Sequence, residues 1–142
     1  MGRRESREAA LQILFQLEFC ESSEVPDLSQ ISKNKNNQNS EYAQRLVQGV
    51  VAHKDEIDPL IQSCSQNWRI SRMLLIDRNI MRLAVYELLF EEDMAVAVVI
   101  NEAVELAKKF GCNESARFIN GILDALSRSP KLRKKDKGNS NG

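Results

Sequence analysis

The fold is decided by two neighbouring stretches near the C-terminal end of the chain, residues 100–111 (INEAVELAKKFG) and residues 117–124 (RFINGILD). In both stretches apolar side chains recur every three or four residues, a spacing that places them on one face of an α-helix. Gly111 predicts the end of the first helix, and Asn113 predicts the N-terminal cap of the second. Two amphipathic helices joined by a short turn are typical of a helical bundle.

The same periodicity extends through most of the chain. The predicted helices cover residues 4–20, 40–53, 58–64, 77–90, 96–110 and 113–129. Apolar side chains surround most of the fourth helix, so we expect it at the centre of the bundle. Residues 21–40 are rich in Ser and Asn and predict a long loop, with a short helical turn at 28–31. Because no strand pattern stands out, the sequence predicts an all-α fold, a compact helical bundle.

The first predicted helix carries more apolar surface than one core-facing stripe needs. Its main stripe consists of Ala10, Ile13, Leu14 and Leu17. A second apolar line beside it consists of Leu11, Phe15 and Phe19. Either both lines are buried, or the second line is kept for a partner.

Length and charge indicate one domain with basic ends. The 142 residues suffice for one domain or two tightly packed subdomains; we assign 1–130 to the domain and 131–142 to a basic, disordered tail. The net charge is zero, yet residues 1–8 carry +1 and residues 128–142 carry +5, which leaves −6 for the body. This pattern favours local contacts with a polyanion, although a tail that only improves solubility would look the same.

Membrane and secreted proteins are disfavoured. No run approaches the roughly 18–20 apolar residues that span a bilayer, and no apolar segment of a secretory signal follows the charged N-terminus. Cys20, Cys64 and Cys112 are too far apart for a zinc or redox motif and fit thiols of a reducing cytosol. We therefore expect a cytoplasmic protein without membrane contact.

Nothing in the sequence assembles into a catalytic site. His53 is the only histidine, and its place at a predicted helix end is more typical of a partner for the helix dipole. The glycines form no phosphate-binding loop, and Gly121 is expected to permit close helix packing. Trp68 is expected to anchor a helix connection. We expect no catalytic residue, no metal, no cofactor and no enzymatic activity.

Two groups of residues are candidates for binding. Arg3, Arg4 and Arg7 lie at the start of the first helix, where the helix dipole favours acids, so they suit contacts to phosphates. A solvated first turn paired with neighbouring glutamates is an equal alternative. Arg117 and Phe118 lie beside the apolar stripe of the last helix. They could neutralise and stack on single-stranded RNA, unless Phe118 is an outer core residue.

Several motifs carry a resemblance to a known family. Residues 3–15 (RRESREAALQILF) resemble the opening helix of the NusB transcription antitermination family, and residues 77–88 (DRNIMRLAVYEL) resemble its central helix. The two stretches quoted first complete the match in the same order along the chain. The resemblance therefore covers nearly the whole sequence.

The resemblance implies a bundle of about seven helices in two subdomains, with an RNA-binding and non-enzymatic function. The RNA would be the single-stranded boxA element of ribosomal RNA leader transcripts. The partners would be a small-subunit ribosomal protein and, through it, a complex on RNA polymerase. A homodimer is a further expectation, since some members of the family dimerise.

The resemblance also assigns residues. The RNA-binding residues would be Arg3, Arg4, Arg7, Glu114, Arg117 and Phe118. The ribosomal-protein partner would contact Phe15, on the surplus apolar line of the first helix, and Asp77, which could serve as a helix cap as well.

The chain departs from the family pattern at several positions. Ser6 replaces the usual alanine, and Glu5 places an acid among the arginines. Ala95 stands where many members have proline, and Ala97 where a basic residue is common. One RNA contact is therefore expected to be missing, and the basic tail could compensate with non-specific phosphate contacts.

Two other classes of function stay open. A similar helical domain forms the N-terminal part of ribosomal-RNA cytosine methyltransferases, which predicts a downstream catalytic domain with a glycine-rich cofactor loop. A purely protein-binding helical module would use the Phe15 face and leave the arginines silent. Charge reversal at Arg3, Arg4 and Arg7 separates the second alternative from RNA binding.

Overall fold

Helices account for nearly all of the computed structural model, which describes residues 2–19, 37–91 and 93–129. Within these ranges there are five α-helices and one 3-10 turn, and no strand. The α-helices are α1 (Gly2–Phe19), α2 (Asn37–Ser63), α3 (Leu75–Phe90), α4 (Val96–Phe110) and α5 (Ser115–Ser127), and the 3-10 turn is Ile70–Arg72. The all-α prediction is confirmed. The expected number of about seven helices is wrong for the described residues, and the division into two subdomains stays a prediction.

Two predicted helices form one kinked element. Residues 40–53 and 58–63 belong to α2, which begins at Asn37 and is interrupted by a kink at His53, where φ is −111° and ψ is 17°, outside the helical range. The helix end predicted at residue 53 coincides with this kink. Pro59 lies inside the segment after the bend, where it removes one backbone donor without ending the helix. The bend is supported by His53 itself, whose Nδ1 lies 2.7 Å from Glu56 Oε1 and whose ring packs 4.4 Å from that of Phe90.

The central position predicted for residues 77–90 is confirmed. Helix α3 packs against all four other α-helices, and every residue from Asn79 to Glu87 is buried. The contact with α2 is especially close at Gly49, because a Cβ at that position would overlap the ring of Tyr86. Helix α3 therefore forms the axis around which the other α-helices pack.

Helices α1 and α3 run in opposite directions, as their ion pairs show. Near the C-terminal end of α1, Glu18 accepts a hydrogen bond from Asn79 and pairs with Arg82, close to the start of α3. Arg82 also donates two hydrogen bonds to Asp58 of α2, at 2.8 and 2.9 Å. At the other end, Arg7 of α1 pairs with Glu87 of α3. Polar contacts thus fix both ends of the α1–α3 packing.

The turn between α4 and α5 differs from the prediction in detail. Gly111 does end α4, but α5 is preceded by Glu114 rather than capped by Asn113. The Ser115 hydroxyl accepts a hydrogen bond from the Cys112 backbone N–H at 3.0 Å. It lies so close to Gly111 that a Cβ there would come within 2.5 Å of the oxygen. Close packing within the turn therefore explains this glycine.

The last turn of α4 forms ion pairs, and one smaller expectation is wrong. Lys109 pairs with Glu8 of α1 at 2.9 Å, and its neighbour Lys108 pairs with Glu105 at 3.6 Å. No described atom lies within 4 Å of a Cβ built at Gly121, so this glycine serves no close helix contact. Residues 20–36, with the predicted turn at 28–31, and the tail 131–142 lie outside the described residues.

Candidate nucleic-acid interface

Arg4 is an exposed arginine on the first turns of α1, held by a carboxylate of α4. Its Nε donates to Glu102 Oε1 at 3.0 Å, and its Nη2 donates to Oε2 at 2.7 Å. The Arg4 side chain is nevertheless 55% exposed. The hydrogen bond from Arg4 holds the pKa of the Glu102 carboxyl below its usual range, although partial burial acts in the opposite direction. The pair is a two-pronged, charge-assisted contact at the surface.

Arg7 lies one turn further along α1 and is buried. Its side chain is 5% exposed, and Nε lies 3.0 Å from both carboxylate oxygens of Glu87. The Tyr42 hydroxyl of α2 donates to the same carboxylate at 2.5 Å. Burial first, and then the neighbouring Glu87 charge, raise the pKa of the Tyr42 hydroxyl. Arg7 thus joins three helices and offers a ligand almost no surface.

The two arginines meet at Glu102. Arg7 Nη1 lies 3.4 Å from Glu102 Oε1, so this carboxylate contacts both guanidinium groups. An open cleft of about 540 Å³ lies beside them. Its lining consists of Arg4, Arg7, Asp93, Met94, Ala95, Val98 and Glu102. One wall is therefore charged, whereas Val98, an exposed apolar side chain, contributes to the other.

The second group of predicted residues lies at the start of α5. Glu114 precedes the helix and Arg117 follows in its first turn; both side chains are exposed. Phe118 is half-buried and packs against the core from outside. Phe118 is therefore an outer core residue, as one of the two predictions held, and it also stays partly accessible to solvent. The structure describes Arg3 as part of α1, without its side chain.

A second apolar surface lies at the C-terminal end of α1. Phe15 is half-buried and its ring stacks on that of Phe19, with 6.0 Å between the ring centroids and 7° between the planes. Phe19 is 70% exposed, while Leu11 on the same line is buried in the core. The second apolar line of α1 is therefore buried at its start and exposed at its end.

Asp77 is a buried carboxylate in the first turn of α3. Only 5% of its surface is exposed, and no described group donates a hydrogen bond to Oδ1. Burial raises the pKa of the Asp77 carboxyl, and a hydrogen bond with Ser115 opposes this shift only in part. The helix cap itself is Leu74, so the expected capping role of Asp77 is wrong.

Sequence reasoning missed the acids that hold the arginines. Glu87 and Glu102 looked like the polar faces of amphipathic helices, and only their distance from α1 in space reveals their role. Trp68 was expected to anchor a connection through its side chain, but the indole is exposed. Its backbone carbonyl does the anchoring, since it accepts hydrogen bonds from Gln62 and Ser65 at 2.9 Å.

Other kinds of site find little support in the described ranges. Within them, no group of three or more His, Cys, Asp or Glu side chains is arranged to hold a metal ion. None of the described helices combines the length and the apolar character that crossing a membrane requires.

The fold and the exposed arginine define a small all-α binding protein. The chain belongs to the NusB family, whose family model matches residues 4–128. It is 44% identical to the transcription antitermination protein NusB of Desulforudis audaxviator, over 92% of this chain and 96% of that protein.

Solved structures agree with this assignment. The chain is similar to NusB of T. maritima, with a TM-score of 0.79, 36% identity, and coverage of 93% of this chain and 96% of the other. It is also similar to a chain of a complex of the antitermination factors NusB and NusE with double-stranded RNA. For that chain the TM-score is 0.75 and the identity 31%, over 88% of this chain and 95% of the other.

Proposed function

We propose that this chain is a transcription antitermination factor that binds boxA-type RNA in ribosomal RNA leader transcripts. It acts together with a small-subunit ribosomal protein, in a complex on RNA polymerase. The observation that carries the proposal is the relationship to antitermination proteins over almost the full length of the chain. Because these relatives match nearly end to end, the alternative of a methyltransferase accessory domain gains no support from them.

The first part of the proposed RNA surface is the N-terminal end of α1. Arg4 is exposed beside an open cleft, where a guanidinium can form two parallel hydrogen bonds with a phosphate or a guanine edge. Arg3 belongs to the same turn of the helix. Arg7 acts indirectly, because its buried guanidinium contacts Glu102, the carboxylate that pairs with Arg4.

The second part is the start of α5. Arg117 supplies an exposed positive charge, and the accessible part of the Phe118 ring supplies a face on which an unpaired base can stack. Glu114 can accept hydrogen bonds from base amino groups. Between the two parts, Lys108 and Lys109 in the last turn of α4 add positive charge. A single strand could follow this line from α1 to α5.

The ribosomal-protein partner is proposed to bind at the other end of α1. The stacked rings of Phe15 and Phe19 present an apolar surface of the kind that anchors protein interfaces. Asp77 is proposed to contact the partner as well. Its Oδ1 accepts no hydrogen bond from a described group, and the partner could supply a donor after a small rearrangement. Homodimerisation would compete with these contacts if it used the same surfaces.

The proposed mechanism is binding without chemistry. The protein would bring RNA and a protein partner together on the polymerase, in the cytoplasm, with no cofactor and no catalytic residue. Its specificity would come from base contacts at α5, and most of its affinity from phosphate contacts at α1.

Fluorescence anisotropy of a labelled boxA-like RNA tests this proposal. A scrambled RNA of equal length serves as a control, and each titration is run with and without the ribosomal protein at two salt concentrations. The variants are Arg4→Ala and the double variant Arg117→Ala, Phe118→Ala. Arg45→Ala is the matched control, because Arg45 is also 55% exposed and paired with a glutamate, but lies on α2.

We expect the boxA-like RNA to bind more tightly than the scrambled RNA, and the ribosomal protein to widen the difference. Arg4→Ala should weaken the binding of both RNAs to a similar extent and make the salt slope shallower by at most about 0.7–1, because one phosphate contact is lost. The double variant Arg117→Ala, Phe118→Ala should reduce the preference for the boxA-like RNA over the scrambled RNA. Equal binding of both RNAs under all conditions would contradict the proposed function.

A further inference from the structure

Glu102 occupies the hydrogen-bonding edge that Arg4 would offer to RNA. Both carboxylate oxygens accept from Arg4, one from Nε at 3.0 Å and the other from Nη2 at 2.7 Å. These two N–H groups form the fork with which an arginine holds a phosphate or a guanine in a bidentate manner. An RNA that takes this edge of Arg4 must therefore first displace Glu102.

The displaced carboxylate would not be left without a cation. Arg7 Nη1 already lies 3.4 Å from Glu102 Oε1, the oxygen that also accepts from Arg4 Nε. Arg7 cannot leave with the RNA, because Glu87 and the surrounding helices hold it in the interior. Glu102 therefore has one exposed partner and one buried partner.

We propose that Glu102 is an internal competitor for RNA, which holds Arg4 in the unbound protein and passes to Arg7 when an RNA phosphate takes Arg4. This inference rests on the proposed function and adds a residue that tunes the affinity of the same surface. Glu102 is a positioning residue, since it acts on RNA through Arg4 and makes no attractive contact with a phosphate.

The exchange has a consequence for salt dependence. Arg4, Arg7, Glu87 and Glu102 together carry no net charge, so a phosphate that joins them leaves one negative charge in excess. That charge attracts a counterion and offsets part of the counterion release that drives binding. Without the charge of Glu102, the same phosphate would be neutralised completely, and the salt slope would be steeper.

The test compares Glu102→Gln with Glu91→Gln in the intact protein. Glutamine keeps the shape of glutamate and removes its charge. Glu91 is the matched control, because it pairs with Arg45 at 3.1 Å, and Arg45 is 55% exposed, as Arg4 is. Both substitutions thus release one exposed arginine and change the net charge by the same amount. The probes are the boxA-like and scrambled RNAs, titrated at several salt concentrations.

We expect Glu102→Gln to tighten binding of both RNAs about two- to fivefold beyond any change in Glu91→Gln, a range typical of one exposed ion pair. The salt slope should become steeper by up to about 1. The tighter binding and the steeper salt slope should both disappear when Glu102→Gln is combined with Arg4→Ala, because no Arg4 guanidinium is then left for Glu102 to occupy. Urea unfolding of each variant shows whether the fold is retained.

Other outcomes overturn the proposal. Equal gains in Glu102→Gln and Glu91→Gln would mean that net charge alone acts. A gain that persists in the Arg4→Ala background would mean that Glu102 does not act through Arg4. Weaker binding in Glu102→Gln would mean that Glu102 orients Arg4 for RNA rather than competing with it. If the unmodified protein shows no preference for the boxA-like RNA, the proposed function fails on its own, whatever the variants do.

Discussion

Arg4 and Arg7 stand one turn apart on the same helix, and both bind carboxylates, yet their surroundings differ completely. The Arg4 side chain is 55% exposed and has Glu102 as its partner at the surface. The Arg7 side chain is 5% exposed and shares Glu87 with the hydroxyl of Tyr42. Similar pairs of charges therefore have different surroundings. The exposed pair can be reached from solvent, whereas the buried pair holds helices together in the interior.

Asp77 adds a third case to this comparison. It is as buried as Arg7, but no described group donates to its Oδ1. A buried charge with partners holds the fold together, while a buried charge with too few partners costs stability. The three residues thus span the range from exposed and paired, through buried and paired, to buried and poorly paired.

The largest effect is expected from Arg7→Ala. This change leaves Glu87 buried without its cation and should lower the free energy of unfolding by about 3–5 kcal/mol. Urea denaturation followed by circular dichroism measures it. Arg4→Ala is the control and should change the stability little. If the two variants unfold at the same urea concentration, burial does not distinguish the two arginines.

A smaller loss is expected from Tyr42→Phe. The substitution removes only the hydroxyl that donates to Glu87, while Arg7 keeps its contacts with both carboxylate oxygens. The free energy of unfolding should fall by about 1.5–3 kcal/mol, the range for a hydrogen bond to a charged group. Tyr86→Phe provides a comparison on the neighbouring helix. A loss as large as that of Arg7→Ala would show that the hydroxyl, rather than the cation, stabilises Glu87.

The smallest effect, and one of opposite sign, is expected from Asp77→Asn. Burial raises the pKa of this carboxyl, so the folded protein binds its proton more tightly than the unfolded chain does. The contribution of Asp77 to stability is therefore lost as the pH rises from the ordinary value of 3.8 through the raised one. At neutral pH the substitution should raise the free energy of unfolding by up to about 1 kcal/mol.

Urea unfolding of both proteins at pH 7 and near pH 4 checks the sign. The advantage of Asp77→Asn should shrink at the lower pH, because a larger fraction of the wild-type carboxyl is protonated there in the folded state than at pH 7. If Asp77→Asn is less stable than the wild type at pH 7, the negative charge is compensated in a way that the described contacts do not contain.

The sequence predicted well what depends on local spacing. The apolar repeats of residues 77–90 and 96–110 correspond to α3 and α4, and Gly111 ends α4 as expected. The helices predicted over residues 40–53 and 58–64 correspond to the two segments of α2 on either side of the kink at His53, but the second segment resumes directly after the kink rather than at residue 58.

Contacts between distant residues were beyond local spacing. Nothing near Arg7 indicates that it is buried, because Glu87 lies 80 positions away in the sequence. The three N-terminal arginines therefore looked equivalent, and the resemblance to a family treated them as one group. The position of Asp77 was found from that resemblance, but its missing hydrogen-bond donor depends on how α5 packs beside α3.

The wide separation of these partners along the chain also sets an order of events during synthesis. Arg4 is made before its partner Glu102, which follows 98 positions later. Until the end of α3 has been made, the arginines of α1 have neither Glu87 nor Glu102 beside them, and until α4 has been made they lack Glu102. A partly translated chain therefore carries Arg4 and Arg7 without their carboxylate partners, and this charged surface reaches its final form only after α4 has been made.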